Sequence, residues 1–373
     1  MNSRIIFWSV FLGLLIWGCS NDDSAEQEQE NEQSIPDFQC IGEDFENIFL
    51  YNYDSDMESG SAANLTQEND LDRFYIGLKQ VSEVLSFFSF FEGDFSLLQK
   101  NVQNNSVSTF ENFISESSER SVIWGANTES EILIGYYSPR GSGEFGVRVL
   151  DAVTEAFVDT PLASNVFDTQ EPLYFNQRLF ASYLDNNDRY HLVVFNTVDF
   201  SIVTSFDFLD ETPSFLIDDM GNFVLFLGNQ GVFKKEVYSI ANMDLLESDS
   251  FIINEFFQPG PMNAYLVEDK LYYQSALVQP APVLFTPAIY DFANNQNQIL
   301  DILSLRETVI LQIGRDINPT AFGFNSEKRL FFRGFAEVTG DSSFDGGIMV
   351  ISEDGSLIEI LELPFVPTYF IKN

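Results

Sequence analysis

The chain has little sulfur, little imidazole and little positive charge. Its 373 residues hold two cysteines, Cys19 and Cys40, and one histidine, His191, while 18 Lys and Arg stand against 57 Asp and Glu for a formal net charge of −39. Each shortage excludes a chemistry. One histidine and two cysteines cannot assemble a Cys/His zinc site, and they are too few to ligate a haem or an iron–sulfur centre. A polyanion of this size repels phosphate backbones, so nucleic acid is not an expected partner. The sequence contains no G-x-S-x-G elbow, P-loop, G-x-G-x-x-G fingerprint or H-E-x-x-H helix. A Ser-His-Asp triad would need His191, which sits in the strand-like run RYHLVVF with no nucleophile motif to pair with, so no catalytic residue is assigned. Long helical periodicity is also missing.

One long apolar run is present. Residues 5–17, IIFWSVFLGLLIW, follow Arg4 and carry no charge, but a bilayer span takes about 20 residues. Residues 1–18 therefore read as a signal peptide. The run stops at Gly18-Cys19, and LLIWGC resembles the lipobox of bacterial lipoproteins, with Trp17 where a small residue is usual. That resemblance implies cleavage before Cys19 and lipidation of its thiol, a palmitate-type anchor that holds the chain to a membrane. Each buried methylene of such an anchor adds about 0.8 kcal/mol of membrane affinity. The stretch SNDDSAEQEQENEQSIPD is too polar and acidic to order itself, so residues 19–40 read as a disordered tether. Its start, Cys19-Ser20-Asn21-Asp22-Asp23, resembles the acidic export signal of Bacteroidota surface lipoproteins, which implies the outward face of the outer membrane. Asp23-Ser24-Ala25 resembles the O-glycosylation sequon of that phylum. With Cys19 carrying lipid, Cys40 is left without a partner and no intramolecular disulfide is expected.

Phenylalanine is abundant, 39 residues against 14 Tyr and 3 Trp, and a ring without a polar handle belongs in a core. From residue 71 the chain is a succession of short β-type runs broken by Asn, Asp, Gly and Ser turns. RLFASYLD, RYHLVVFNT and SIVTSFDF read as three antiparallel strands from Arg178, with a fourth near residues 173–175. Comparable four-strand units start near Ser121, Ser214, Asn263 and Thr320, the Asn263 unit ending in QILDIL read as strand. A repeated four-stranded antiparallel unit is the pattern of β-propeller blades. An incomplete unit from Arg73 (RFYIGLKQ, VLSFFSFF, DFSLLQKNV) is expected to be completed by the final PTYFIKN. Together with the five full units this predicts an all-β fold, residues 41–373 forming a single propeller of six blades. Five, seven or eight blades stay open, since FENIFLYNY from Phe45 supplies a further strand, and a large β-sandwich is the alternative fold.

Calcium is the metal an acidic, loop-rich chain can hold, because it takes about six to eight carboxylate and carbonyl oxygens. Asp185 and Asp188, with Asn186 and Asn187 between them, and Asp341 with Asp345 are the candidate ligands. Both groups also fall where ordinary β-turn residues belong, and neither follows the D-x-[DN]-x-[DN]-G spacing. The acids are too numerous to single out a glycosidase pair. The expected function is a lipid-anchored envelope protein with a non-catalytic binding or scaffolding role at the outer-membrane surface and a protein or glycan partner. The alternative, by analogy of fold, is a calcium-assisted hydrolase or lyase acting in the propeller funnel. Acids and amides converging at the funnel mouth favour the enzyme, and a plugged centre favours binding.

Overall fold

The computed structural model describes residues 34–372 except 92–93, 112–118, 129, 230–231, 254, 256 and 339–343. The expected signal peptide, the lipidated Cys19, the export signal and Asp341 lie outside the described residues. Ile35–Asn373 is a compact unit of its own, built of seven antiparallel sheets. Blade I joins Phe38–Glu43, Ile48–Asp54 and Ser59–Asn64 to the last strand, Val366–Phe370. Blade II is Gly77–Val81, Val84–Phe91, Asp94–Asn101 and Val107–Glu111, and blade III is Ser121–Asn127, Glu131–Tyr137, Phe145–Asp151 and Phe157–Ala163. Blade IV has a divided inner edge, Val166–Thr169 and Leu173–Phe175, both paired with Arg178–Asp185, followed by Tyr190–Asn196 and Ser201–Phe208. Blade V is Thr212–Ile217, Phe223–Asn229, Val232–Tyr238 and Leu245–Ile252, with Gly260–Pro261 parallel to its first strand. Blade VI is Tyr265–Val267, Lys270–Ala276, Phe285–Asp291 and Gln296–Ile299, and blade VII is Asp316–Asn325, Leu330–Val338, Gly346–Ser352 and Leu357–Leu363.

Burial follows position in the blade. All seven residues of Gly346–Ser352 are buried, because a middle strand is covered on both faces by the neighbouring blades. In the outermost Leu245–Ile252 only Phe251 is buried. The phenylalanines fill the spaces between blades. Phe180 of blade IV stacks on Phe223 of blade V with ring centres 4.4 Å apart and planes 3° apart. Phe38 of blade I meets Phe332 of blade VII at 4.6 Å, which closes the circle.

The ring has seven blades, not six. The closing strand completes a blade begun by Phe38–Glu43, and the unit from Arg73 is complete in itself through Val107–Glu111. The strands that escaped the sequence pattern are Ser59–Asn64 (SGSAAN) and Val107–Glu111 (VSTFE), outer strands with little apolar alternation, and Phe38–Glu43, which begins inside the stretch assigned to the tether. A second difference lies after Gln296–Ile299, where residues read as strand enter a helix, Ile302–Ile313. Asp301 caps it by accepting the Ser304 N–H, Gly314 ends it in the left-handed conformation, and Ile302, Leu305 and Val309 face the core.

Phe180 is fully buried, and truncating a buried aromatic costs about 3–5 kcal/mol. Phe180→Ala is expected to lower the urea midpoint accordingly with an unchanged slope, and an unshifted midpoint in equilibrium unfolding would contradict face-to-face packing of blades IV and V.

Candidate functional site

The blade interfaces are not equally filled. Among the described residues, the cluster between blades II and III contains five buried apolar side chains, Phe88, Leu97, Ile132, Ile134 and Leu150, where the other six interfaces have nine to fourteen. Glycine accounts for part of the deficit. Gly77, on the inner strand of blade II, faces open space, since a Cβ there would meet nothing within 4 Å. Gly125, on the inner strand of blade III, lets the Phe88 ring approach so closely that a Cβ would lie 2.3 Å from it. A cavity of about 570 Å³ remains, within the range of small-molecule pockets.

Its walls are apolar and its polar groups mostly basic. Phe88, Phe90 and Phe95 form one side, the last two with ring centres 4.4 Å apart. Lys79, Arg120 and Arg140 line it, with Glu171 the sole acid among the described lining residues. Arg120 sits 2.9 Å from Asp159, which also takes the buried Arg148 at 2.8 Å. Burial pushes the Asp159 carboxyl up, but the two guanidiniums outweigh it and hold the group below its ordinary value. Lys79 is paired with Glu171, which comes from the interruption in the inner edge of blade IV. Arg140, in the loop after Glu131–Tyr137, is anchored by its backbone N–H to the Glu119 carbonyl at 2.7 Å. Its exposed guanidinium has no ion pair among the described residues.

The centre of the ring is crossed by the chain's own groups. Tyr369 of blade I donates to Gln80 of blade II at 3.0 Å, and the same Gln80 oxygen accepts the Lys372 N–H at 2.9 Å. The Lys372 amine lies 5.1 Å from the Tyr265 ring of blade VI. The Lys79–Glu171 pair links blades II and IV. Gly260, at φ +100°, lies against Gln170 so closely that a Cβ would come within 2.9 Å of it.

Of the sequence-derived metal candidates, Asp185 and Asp188 are placed in a turn, and Asp341 lies outside the described residues. Asp185 Oδ1 accepts the backbone N–H groups of Asn187 at 2.8 Å and Arg189 at 3.0 Å, and Oδ2 accepts the Asn187 side-chain amide at 3.1 Å. Asn186 donates to Asn165, and Asp188 has the left-handed φ of 58° that the turn requires. Asp345 belongs to blade VII, where its carbonyl accepts the Glu337 N–H, so the fold does not bring it near Asp185 by strand or turn. Among the described residues no group of three or more His, Cys, Asp or Glu is arranged to hold a metal ion. His191 is a strand residue with Nδ1 2.7 Å from Asp207, Nε2 3.4 Å from Asp185 and its ring stacked on Tyr183 at 4.8 Å. Cys40 is completely buried opposite Phe370, and burial pushes its thiol pKa up. Sequence inspection missed the cavity, because Lys79, Arg120 and Arg140 are scattered along the chain and meet only through the blade order.

Asp185 yields a pH prediction. The Arg189 N–H, followed by the Asn187 and His191 hydrogen bonds, holds its carboxyl at about 2 against an ordinary 3.8. A lowered folded-state value stabilises the fold above the ordinary pKa and is lost as pH falls through the folded one. Asp185→Asn should therefore melt below the wild type at neutral pH, with the gap closing as pH falls from about 4 towards 2. A gap in circular-dichroism melts that ignores pH would refute the assignment.

No protein-family model matches the chain, and neither does any curated protein. Solved structures do resemble it. A quinonprotein alcohol dehydrogenase-like protein from Bacteroides thetaiotaomicron is 13% identical with a TM-score of 0.52, over 91% of this chain and 78% of that one. The periplasmic gluconolactonase of Pseudomonas aeruginosa is 12% identical with a TM-score of 0.50, over 90% of this chain and 99% of that one. At such identities the likeness is one of fold, and the fold is the β-propeller.

Proposed function

We propose that the chain is a lipid-anchored cell-envelope protein, held at the outer-membrane surface through Cys19, whose propeller binds a partner or ligand without transforming it. The observation that carries this reading is the occupied centre of the ring. A propeller hydrolase working in the funnel needs oxygen ligands or an acid pair converging there. Here Gln80, Tyr369, Lys372 and the Lys79–Glu171 pair span that space. An opening between blades II and III is walled by aromatic rings and basic groups and offers surface for recognition. Ile76 and Phe90 line it with 63% and 46% of their surface exposed.

The anchor and the binding role are tested separately. Cys19→Ala should leave the protein unprocessed and unlabelled by radioactive palmitate, and normal labelling of that variant would remove the anchor from the proposal. Cross-linking on intact cells followed by capture of the anchored protein should recover a defined protein or glycan partner, and a repeatedly empty capture counts against scaffolding. The calcium reading predicts otherwise, since a bound ion stabilises the folded state by mass action. Melting in excess calcium and in excess EDTA is expected to coincide; a rise of several degrees with calcium would favour the enzyme.

A further inference from the structure

The cavity between blades II and III differs from the rest of the molecule in sign. The chain carries a net −39, yet three of its 18 basic residues line this one space against a single described carboxylate. Lys79 is paired with Glu171, and Arg120 shares Asp159 with the buried Arg148. Arg140 has no ion pair among the described residues, and it lines the same space as Phe88, Phe90 and Phe95.

The geometry points to a site for an amphipathic organic monoanion, a carboxylate or sulfonate on an apolar body. The acid group pairs with Arg140, whose planar fork can give two parallel N–H···O bonds, and the body lies against the phenylalanines. A guanidinium with no ion pair among the described residues calls for one acid group. The surrounding polyanion disfavours ligands carrying several negative charges. A neutral apolar ligand would fill the same volume and leave the guanidinium without an anion. The inference rests on the binding role proposed above and gives it a ligand chemistry.

Gly77 supplies the means to close the site. A side chain there grows into open space, and the residue is not in the left-handed region, so Gly77→Leu occupies the cavity without backbone strain. The test uses the compact Ile35–Asn373 unit in detergent-free buffer, titrated with anilinonaphthalene sulfonate by fluorescence and with dodecanoate by calorimetry. Both are expected to bind one-to-one and to compete, with dodecanol at least about tenfold weaker than dodecanoate, the loss expected for a charge-assisted pair. Arg140→Ala should weaken both anions by about tenfold or more, Arg140→Lys should fall between, and Gly77→Leu should abolish binding, the melting temperatures staying near the wild type. Absence of saturable binding, equal affinity for dodecanol, or undiminished binding by Arg140→Ala each overturns the inference. If Gly77→Leu fails to fold, the Arg140 pair and the dodecanol comparison decide alone. The palmitate, calcium and capture experiments do not involve this cavity, so failure here leaves the envelope role standing and failure there is recognised separately.

Discussion

The pairing of Val366–Phe370 with Phe38–Glu43 is the contact on which the ring depends. It joins residues from opposite ends of the described chain, Cys40 opposite Phe370 and Ile41 opposite Tyr369. The register then shifts at Ile41/Gly42, where the absence of a side chain on Gly42 makes room for the Phe365 ring. Without this pairing blade I would keep three strands and expose an unpaired inner edge. The apolar faces turned towards blades VII and II would lose their covers, and a phenylalanine-rich sheet with an open edge is a template for aggregation. This contact is distant in sequence, so the entropy of bringing the ends together must be met before their packing repays it.

This dependence also marks what was legible in the sequence. Hairpins whose strands alternate strongly and meet at Asn, Asp or Gly turns were readable, as in Arg178–Asp185 with Tyr190–Asn196 and the short Leu173–Phe175 before them. Their turn residues announced themselves by type, and the structure gives Asp185 and Asp188 that turn geometry. Blade number was not readable, because it turns on outer strands such as SGSAAN, whose exposed side chains carry no period, and on which blade the final strand joins. The helix Ile302–Ile313 did leave a local trace, a capping Asp301, apolar residues at 302, 305 and 309 and a terminal Gly314, hidden within a series of β-type runs. The cavity left none. Gly77, Phe88, Arg120 and Arg140 become neighbours only through the order of blades II and III, a long-range fact that local pattern does not encode.

Charge is distributed according to the same architecture. The acids crowd turns and outer strands, where water screens them, and Asp185, Asp291 and Asp354 are further held by N–H groups of their own turns. Some buried cations are matched by carboxylates, Lys235 by Glu247, while Arg148 shares Asp159 with Arg120, since an unmatched buried charge is costly. Arg140 stands at a cavity with no ion pair among the described residues, which is why it directs attention to an anion from outside.

Closure explains why the cavity can persist. In an open sandwich, a deficient layer lets the two sheets shift and relax partially around the lost volume. A closed propeller has no such freedom, because each blade is held in its sector by the blades on both sides. Six well-filled interfaces and one strand closure fix the spacing of blades II and III, so the volume left free by Gly77 and by the small cluster at that interface cannot be recovered by collapse. The remaining ring holds the opening in place, which lowers the ordering cost a ligand would have to meet there. The pairing at Cys40 and Phe370 therefore bears on the candidate site at a distance: it closes the ring within which blades II and III are spaced.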